Sequence, residues 1–339
     1  MQQTMERLDQ LGIAPAEVLL PKADPEKFAV VACDQFTSQP EYWAEAEQIV
    51  GDVPSALRLM MPEAWLEDPS KKAHEAAIPA YMEKYLKDGV FRDLGECFIY
   101  VERSTMTGVR RGLIANLALD RYEYVPGNKA LIRATEKTVE ERLPVRIEIR
   151  KKAAFEMPHV MVLVSDPKDR LMAAAKELCV GIAPEYDFDL MLGGGHIKGW
   201  AIRGDEAFKR IADCLEELKA QAEDGMLYAV GDGNHSLAAA KKCGDRYAMV
   251  ELVNLYDEAL VFEPIHRLKK DGVVVDYIHG KEECLALGSR EGYEAVIMPE
   301  YPKSRLFPDV IEKGTLPKKT FSMGRAKDKR YYLECQRRK

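Results

Sequence analysis

No stretch of this chain approaches the roughly 20 continuous apolar residues of a membrane-spanning helix, which argues against insertion in a bilayer. Cysteine is sparse and scattered: the seven residues at 33, 97, 179, 214, 243, 284 and 335 stand singly, without CxxC or CxxH spacing. That absence argues against a structural zinc site and against a disulfide framework. The cysteines read as reduced thiols, mostly buried; Cys33 sits in a polar segment where reactivity is conceivable, although a packed thiol is the stronger expectation. Positive charge is also short, with 49 Lys and Arg against 56 Asp and Glu and a net charge of -7. Non-specific nucleic-acid binding relies on a field of Lys and Arg, so it is disfavoured. Internal repeats and low-complexity tracts are missing as well. The first ten residues carry an acidic residue and no apolar run, reading as neither signal nor transit peptide, so a cytoplasmic location is expected.

What is present is a chain of 339 residues, 47% hydrophobic, long enough for two or three lobes with a cleft between them. The first hundred residues alternate strand and helix signals: a short buried strand at 28–32, a helix at 40–50 with Tyr42 and Trp43, and a helix from about Ser70 to Lys87 capped by Asp68 or Ser70. His74 falls on that helix, at its surface. Two apolar runs, 97–103 and 110–119, flank a polar turn at 104–108 and predict a β-hairpin. After the turn signal at 126–128 come 130–138, a charged segment to Lys152, and an apolar strand at 160–164. A helix is expected at 169–180 and two short strands at 187–202 around Gly193-Gly194-Gly195, which reads first as a turn and second as a phosphate cradle. Residues 206–223 form the best amphipathic helix, with Phe208, Ile211, Leu215 and Leu218 on one face. Strands at 273–278 and 295–298 suggest a smaller carboxy-terminal lobe. The fold class expected is α+β, with an amino-terminal lobe at 1–128, a core at 129–268 and a carboxy-terminal lobe at 269–339.

Residues 226–243 are the most informative, because an apolar strand runs into an Asp232-Gly233 turn and directly into an alanine-rich helix. The first N–H groups of such a helix lack intrahelical partners and lie at the positive end of its dipole, which suits a phosphate. An ordinary helix capped by Asp232 or Asn234 accounts for the same residues equally well.

Four segments in order carry a resemblance. Ile132 to Thr138 (IRATEKT) resembles a segment written R-x-H-E-K-T, and Val230 to Ser236 (VGDGNHS) resembles one containing D-G-H-H-R. Residues 257–268 resemble a stretch ending in T-H-R, and 314–320 (GTLPKKT) a late P-x-K-[ST] motif; Val31 to Asp34 answers to an early P-Y-D. The chain thereby resembles the DUF1015 family, whose sequences are similar to free serine kinases of the ParB/sulfiredoxin-like fold. Three departures stand out: Thr135 in place of His, Asn234 in place of the first His of the pair, and Ser236 in place of Arg. Losing that Arg removes a bidentate phosphate ligand, which leaves the donor site to be completed by a lysine from elsewhere.

The resemblance implies phosphoryl transfer, which asks a protein mainly for positioning and charge neutralisation. Gly233, Asn234, Ser236 and Lys319, or its neighbour Lys318, would hold the phosphates of ATP or ADP, with His235 donating to them. Asp232 would repel phosphate unless Mg²⁺ lies between or it binds a hydroxyl. Glu136 would take the proton of the acceptor hydroxyl, free serine being the first candidate; without the resemblance it reads as a surface glutamate paired with Lys137 or Arg133. His266-Arg267 and Asp34 could line the same cleft, whereas His159 and His279 carry no motif. The expected partners are a nucleotide and a small hydroxylated metabolite. The competing expectation is a regulator that binds a nucleotide or phosphometabolite without catalysis.

Overall fold

The computed structural model describes residues 1–66, 68–69 and 71–338. The chain begins with α1 (Gln2–Gln10), β1 (Ile13–Ala14), β2 (Ala16–Pro21), the single-turn α2 (Pro25–Phe28), β3 (Val30–Val31), α3 (Pro40–Val50) and α4 (Lys71–Lys87). The strand expected at 28–32 is shorter than its apolar run. Pro25 opens α2, where a missing N–H costs nothing, and draws Phe28 into a helical turn, so only Val30 and Val31 pair as strand. The expected cap Ser70 lies outside the described residues. His74 is half-buried, its Nε2 3.2 Å from the Met60 carbonyl oxygen.

The expected hairpin forms from β4 (Phe91–Thr105) and β5 (Gly108–Ala118), paired from Ile99↔Ile114 to Thr105↔Gly108. It is followed by β6 (Tyr122–Glu123), β7 (Ile132–Ala134), α5 (Leu143–Lys152), β8 (Phe155–Glu156), β9 (Met161–Val164), α6 (Arg170–Leu178), β10 (Tyr186–Leu190) and β11 (Gly195–Ile202). Then come α7 (Asp205–Ala220), β12 (Tyr228–Asp232), α8 (Asn234–Lys242) and β13 (Tyr247–Asn254). The charged segment before Lys152 is thus largely helix α5, and its Leu143 packs on Ala238 and Ala239 of α8. Tertiary contact of this kind stabilises a helix whose own periodicity is weak.

Among the described residues, eleven strands build one mixed sheet. Its main path runs β10-β11-β4-β5-β13-β9-β12-β7-β6, with β1 added on β5 and β2 on β4. Alternate residues of β4 face opposite cores, as a strand's period of two requires. Cys97, Ile99 and Val101 pack in a cluster with Trp43 and Tyr331, while Phe98 and Tyr100 join Phe208, Ile211 and Leu215 of α7. The amphipathic spacing of α7 is realised, with those three residues and Leu218 buried. The Gly193 to Gly195 run is a turn joining the β10–β11 hairpin. A Cβ on Gly195 would stand 2.1 Å from the Ser104 carbonyl oxygen, so glycine there lets β11 approach β4.

The carboxy-terminal part contains β14 (Phe262–Lys270), β15 (Val273–His279), α9 (Lys281–Gly288), β16 (Tyr293–Val296), α10 (Leu306–Lys313) and β17 (Phe321–Met323). Its sheet has the order β15-β14-β16, with β17 also on β14. A shared apolar cluster that includes Met161, Leu163, Val253, Phe262, Phe307 and Met323 fixes it to the large sheet. The tail then returns to earlier parts of the chain: β18 (Tyr331–Tyr332) pairs with β3 near its start, and β19 (Gln336–Arg337) pairs with β8. All seven cysteines are free, with Cys97, Cys179, Cys284 and Cys335 buried. Among the described residues no helix is long and apolar enough to cross a membrane.

Candidate active site

Strands β7 and β12 run parallel, with Ala134 paired to Val230. Two residues further on, Glu136 and Asp232 leave these neighbouring strands at the same sheet end, where strands lie about 4.8 Å apart. Ligands of open α/β sheets gather at such carboxyl ends. Thr135, standing between the two, donates its hydroxyl proton to the Val230 carbonyl at 2.6 Å and fastens β7 to β12. Gly233 turns the chain with φ of 82°, and a Cβ there would meet Val160 Cγ2 at 2.8 Å, so only glycine fits.

Neither candidate cap residue caps α8 with its side chain. Asp232 Oδ1 accepts the Gly233 N–H at 3.0 Å, and Asn234 Nδ2 donates to the Val230 carbonyl at 3.4 Å. Asn234 is buried, yet its Oδ1 has no hydrogen-bond partner. The His235 Nε2 accepts the Val139 N–H at 3.1 Å, which ties the start of α8 to the segment after Glu136 and puts a neutral ring's proton on Nδ1.

The charge left on Asp232 is answered by Lys329, whose Nζ lies 3.1 Å from Oδ2. Burial pushes the Asp232 carboxyl up, but the Lys329 ammonium, His159 and the Gly233 N–H together outweigh it and hold the group below the usual carboxylate range. Glu136 goes the other way. Burial raises its pKa and the nearby Asp232 adds to the rise, against the opposing effects of the Lys319 N–H and the Lys318 and Lys319 ammonium groups. Lys319 reaches the site because Leu316 pairs in parallel with Glu136 and donates its N–H to the Thr135 carbonyl at 2.7 Å. Its N–H lies 3.4 Å from Glu136 Oε1, and its backbone is held at φ of 58°, a left-handed conformation uncommon for lysine. His279 senses the same convergence: desolvation lowers its pKa first, then Lys319 and Lys329.

A second set of side chains adjoins the start of α8. Ser236 Oγ lies 3.1 Å from His159 Nε2, and His159 Nδ1 lies 3.2 Å from the Tyr332 hydroxyl. That hydroxyl also donates to Cys33 Sγ at 3.3 Å and accepts the Cys33 N–H at 3.4 Å. Asp34 adds a negative charge beside Cys33 and Tyr332. Sequence reasoning singled out Asp232, Gly233, Asn234, His235, Ser236, Glu136 and Lys319, and the fold brings them together. It assigned no role to His159, Lys329 or Tyr332. The pairing of β18 with β3 brings Tyr332 in, and no local pattern announces a contact of that sequence separation.

Cys33 is half-buried, its sulfur against the Tyr332 hydroxyl. Burial, reinforced by Asp34, pushes the thiol up to about 12, which leaves about three orders of magnitude less thiolate at neutral pH than an ordinary cysteine. We therefore expect Cys33 in the native protein to resist iodoacetamide at pH 7.5 while urea-unfolded protein reacts readily, as followed by peptide mass mapping.

His266 sits on β14, buried, with Nδ1 accepting the Met298 N–H at 3.1 Å. Its neighbour Arg267 stacks on Tyr277 and donates to the Lys319 carbonyl at 2.8 Å, so the pair supports the lysine loop. A cavity of about 520 Å³ lies elsewhere, with Asn116, Arg150, Glu156, Asp245, Gln336 and Arg338 among its lining residues. Those charged walls neutralise one another, as in Arg150 with Asp245 and Glu156.

The site is therefore the start of a helix beside two carboxylates and a group of lysines, set at the end of a mixed sheet in a mixed α/β protein. The sequence matches, over residues 13–339, the family described as "Protein of unknown function (DUF1015)", and the chain belongs to that family. No curated protein and no solved structure matches it.

Proposed function

We propose that the protein is a Mg²⁺-dependent small-molecule kinase that moves a phosphoryl group from a nucleotide, ATP or ADP, to a hydroxyl, with free serine the first acceptor to try. The supporting observation is the meeting of three segments distant in sequence. The Glu136 segment, the start of α8 and the Lys319 loop converge so closely that the Glu136 carboxyl feels Asp232, Lys318 and Lys319 together. Phosphoryl transfer needs this combination of a phosphate cradle, cations and a base.

In this reading the α8 N–H groups and Lys319 hold the donor phosphates. Glu136, its pKa raised by burial, takes the acceptor proton. Among the described residues no group of three or more His, Cys, Asp or Glu is gathered as a metal cage. One or two carboxylates with substrate phosphates form a common Mg²⁺ donor set, and Asp232 supplies a carboxylate. Mg²⁺ when bound neutralises phosphate charge; Lys329 shares the task of offsetting Asp232. The resemblance to free serine kinases also favours a ParB/sulfiredoxin-like core over residues 129–268.

The test is ³¹P NMR of the purified protein with Mg²⁺, offering ATP, ADP and pyrophosphate in turn against L-serine and then a pool of hydroxylated metabolites. A new phosphomonoester resonance is the expected result. Measurable nucleotide binding with no product from any donor would overturn the kinase reading in favour of a non-catalytic binder.

A further inference from the structure

We propose that Ser236 is a nucleophile that carries the phosphoryl group between donor and acceptor, with His159 as its base and Tyr332 as the residue that positions His159; this rests on the kinase reading. Three distances set the arrangement: Ser236 Oγ to His159 Nε2 at 3.1 Å, His159 Nδ1 to the Tyr332 hydroxyl at 3.2 Å, and the Tyr332 hydroxyl to Cys33 Sγ at 3.3 Å. A nucleophile within hydrogen-bond reach of a base that a third group orients is the general pattern of an activated hydroxyl.

Proton bookkeeping favours the active tautomer. The Tyr332 oxygen accepts the Cys33 N–H, and its single proton points to Cys33 Sγ. It therefore receives the proton of His159 Nδ1, which leaves the Nε2 lone pair for the Ser236 hydroxyl. In the opposite tautomer Nε2 donates to Ser236 Oγ, and the serine proton loses this acceptor. The first arrangement gives partners to the Ser236 hydroxyl, the Tyr332 hydroxyl, the Nδ1–H and the Cys33 N–H at once. Burial keeps Tyr332 a neutral phenol, so it stays able to fill this role. Ser236 is also the third residue of α8, where backbone N–H groups and the helix dipole favour charge developing on a phosphoryl group in flight.

The chemistry balances in two displacements. Ser236 Oγ attacks the terminal phosphorus of the donor, its bond to the leaving oxygen breaks, and the serine proton passes to His159 Nε2. In the second step the acceptor oxygen attacks the phosphoserine phosphorus and gives its proton to Glu136. His159 returns its proton to Ser236 Oγ as that O–P bond breaks, and Glu136 releases the remaining proton to solvent.

The experiment incubates the full-length protein with Mg²⁺ and γ-labelled ATP, with no acceptor present, then with L-serine. Expected are near-stoichiometric label on the peptide containing Ser236, its discharge on adding acceptor, and loss of both label and turnover in Ser236→Ala. Tyr332→Phe should slow labelling and shift the ¹⁵N resonances of His159 toward the other tautomer, a change a purely structural role does not produce. If Ser236→Ala does not fold, the stereochemical course of wild-type turnover with chiral phosphate decides: two displacements retain configuration at phosphorus. Product formation with inversion and no labelled enzyme would overturn the covalent route while leaving the kinase reading intact. Absence of both label and product with every donor would overturn both.

Discussion

Glu136→Gln is expected to lower turnover by about 10²- to 10⁴-fold, the usual contribution of a general base, with little change in the KM for the phosphate donor. The same substitution should make the protein more stable at neutral pH. Burial raises the folded-state pKa of Glu136 above its ordinary value of 4.5, with Asp232 adding to the rise. A carboxyl whose pKa rises on folding favours its protonated form in the native state. Its stabilising contribution is present below the unfolded value and is lost as pH climbs through the higher folded value. At neutral pH the ionised carboxylate is thus a burden that Gln removes. The gain in thermal midpoint should shrink as pH falls through the window between the raised value and 4.5, which paired melts of the wild type and the variant will show. For the wild type the sign is the same in activity: turnover needs the ionised form, so the acid limb of the pH profile should lie above that of an unperturbed glutamate. Loss of activity together with a gain in stability separates a group held for chemistry from one held for folding. A variant that loses stability, or keeps full turnover, would show that Glu136 serves the packing of the Leu316 loop instead.

The parts of this site that could be read from sequence are those whose signals are local. Asp232 and Gly233 announce a tight turn, Ala238 to Ala240 announce the helix after it, and the spacing of Phe208, Ile211, Leu215 and Leu218 announces α7; each is realised. The hairpin of β4 and β5 was equally plain, because a polar turn separates two apolar runs. Helix α5 was not, since charged residues dominate it and its stability comes from Leu143 meeting α8. Nor were His159, Lys329 and Tyr332, which have no motif around them; the tail that carries Lys329 and Tyr332 is drawn in by its pairing with β3 near the start of the chain. Lys329 shows the consequence most clearly. From sequence, a metal or a bound hydroxyl answers the repulsion between Asp232 and phosphate; the fold adds an ammonium group 3.1 Å from that carboxylate, which no local signal announces.

Arg330→Met is expected to destabilise the protein by about 3–5 kcal/mol, the cost of removing one partner from a buried ion pair. Arg330 is 2% exposed and lies between two glutamates, Glu334 at 0% and Glu251 at 1%. It donates to Glu334 Oε2 and stands 3.5 Å from Glu251 Oε2. Tyr186 donates to the other oxygen of Glu334, and Arg110 lies 3.8 Å from Glu251. Methionine fills a similar volume but leaves two carboxylates in a low-dielectric interior with less positive charge to answer them. Adding Glu334→Gln should therefore recover part of the loss, and the double variant should be less destabilised than the sum of the singles by about 0.5–3 kcal/mol in urea unfolding. Simple additivity would mean that Arg330 acts through packing alone. The site depends on this network because the same short segment carries Lys329 and Tyr332. Arg103, itself 1% exposed, donates to the carbonyls of Lys327 at 2.7 Å and Lys329 at 3.1 Å, which clamps the backbone while the Lys329 ammonium reaches Asp232. On the far side of Arg330, β18 sets Tyr332 beside β3 and against His159. A buried charge network of this kind is weak support for stability by itself, since apolar residues could fill its volume. Its value here is register: with Arg330 set between Glu334 and Glu251 and Arg103 donating to the tail carbonyls, the tail sits in one alignment, and that alignment delivers a cation and a phenol to the start of α8. Arg330→Met, assayed in mild conditions where it remains folded, should accordingly lose phosphate-donor affinity before it loses helical signal by circular dichroism.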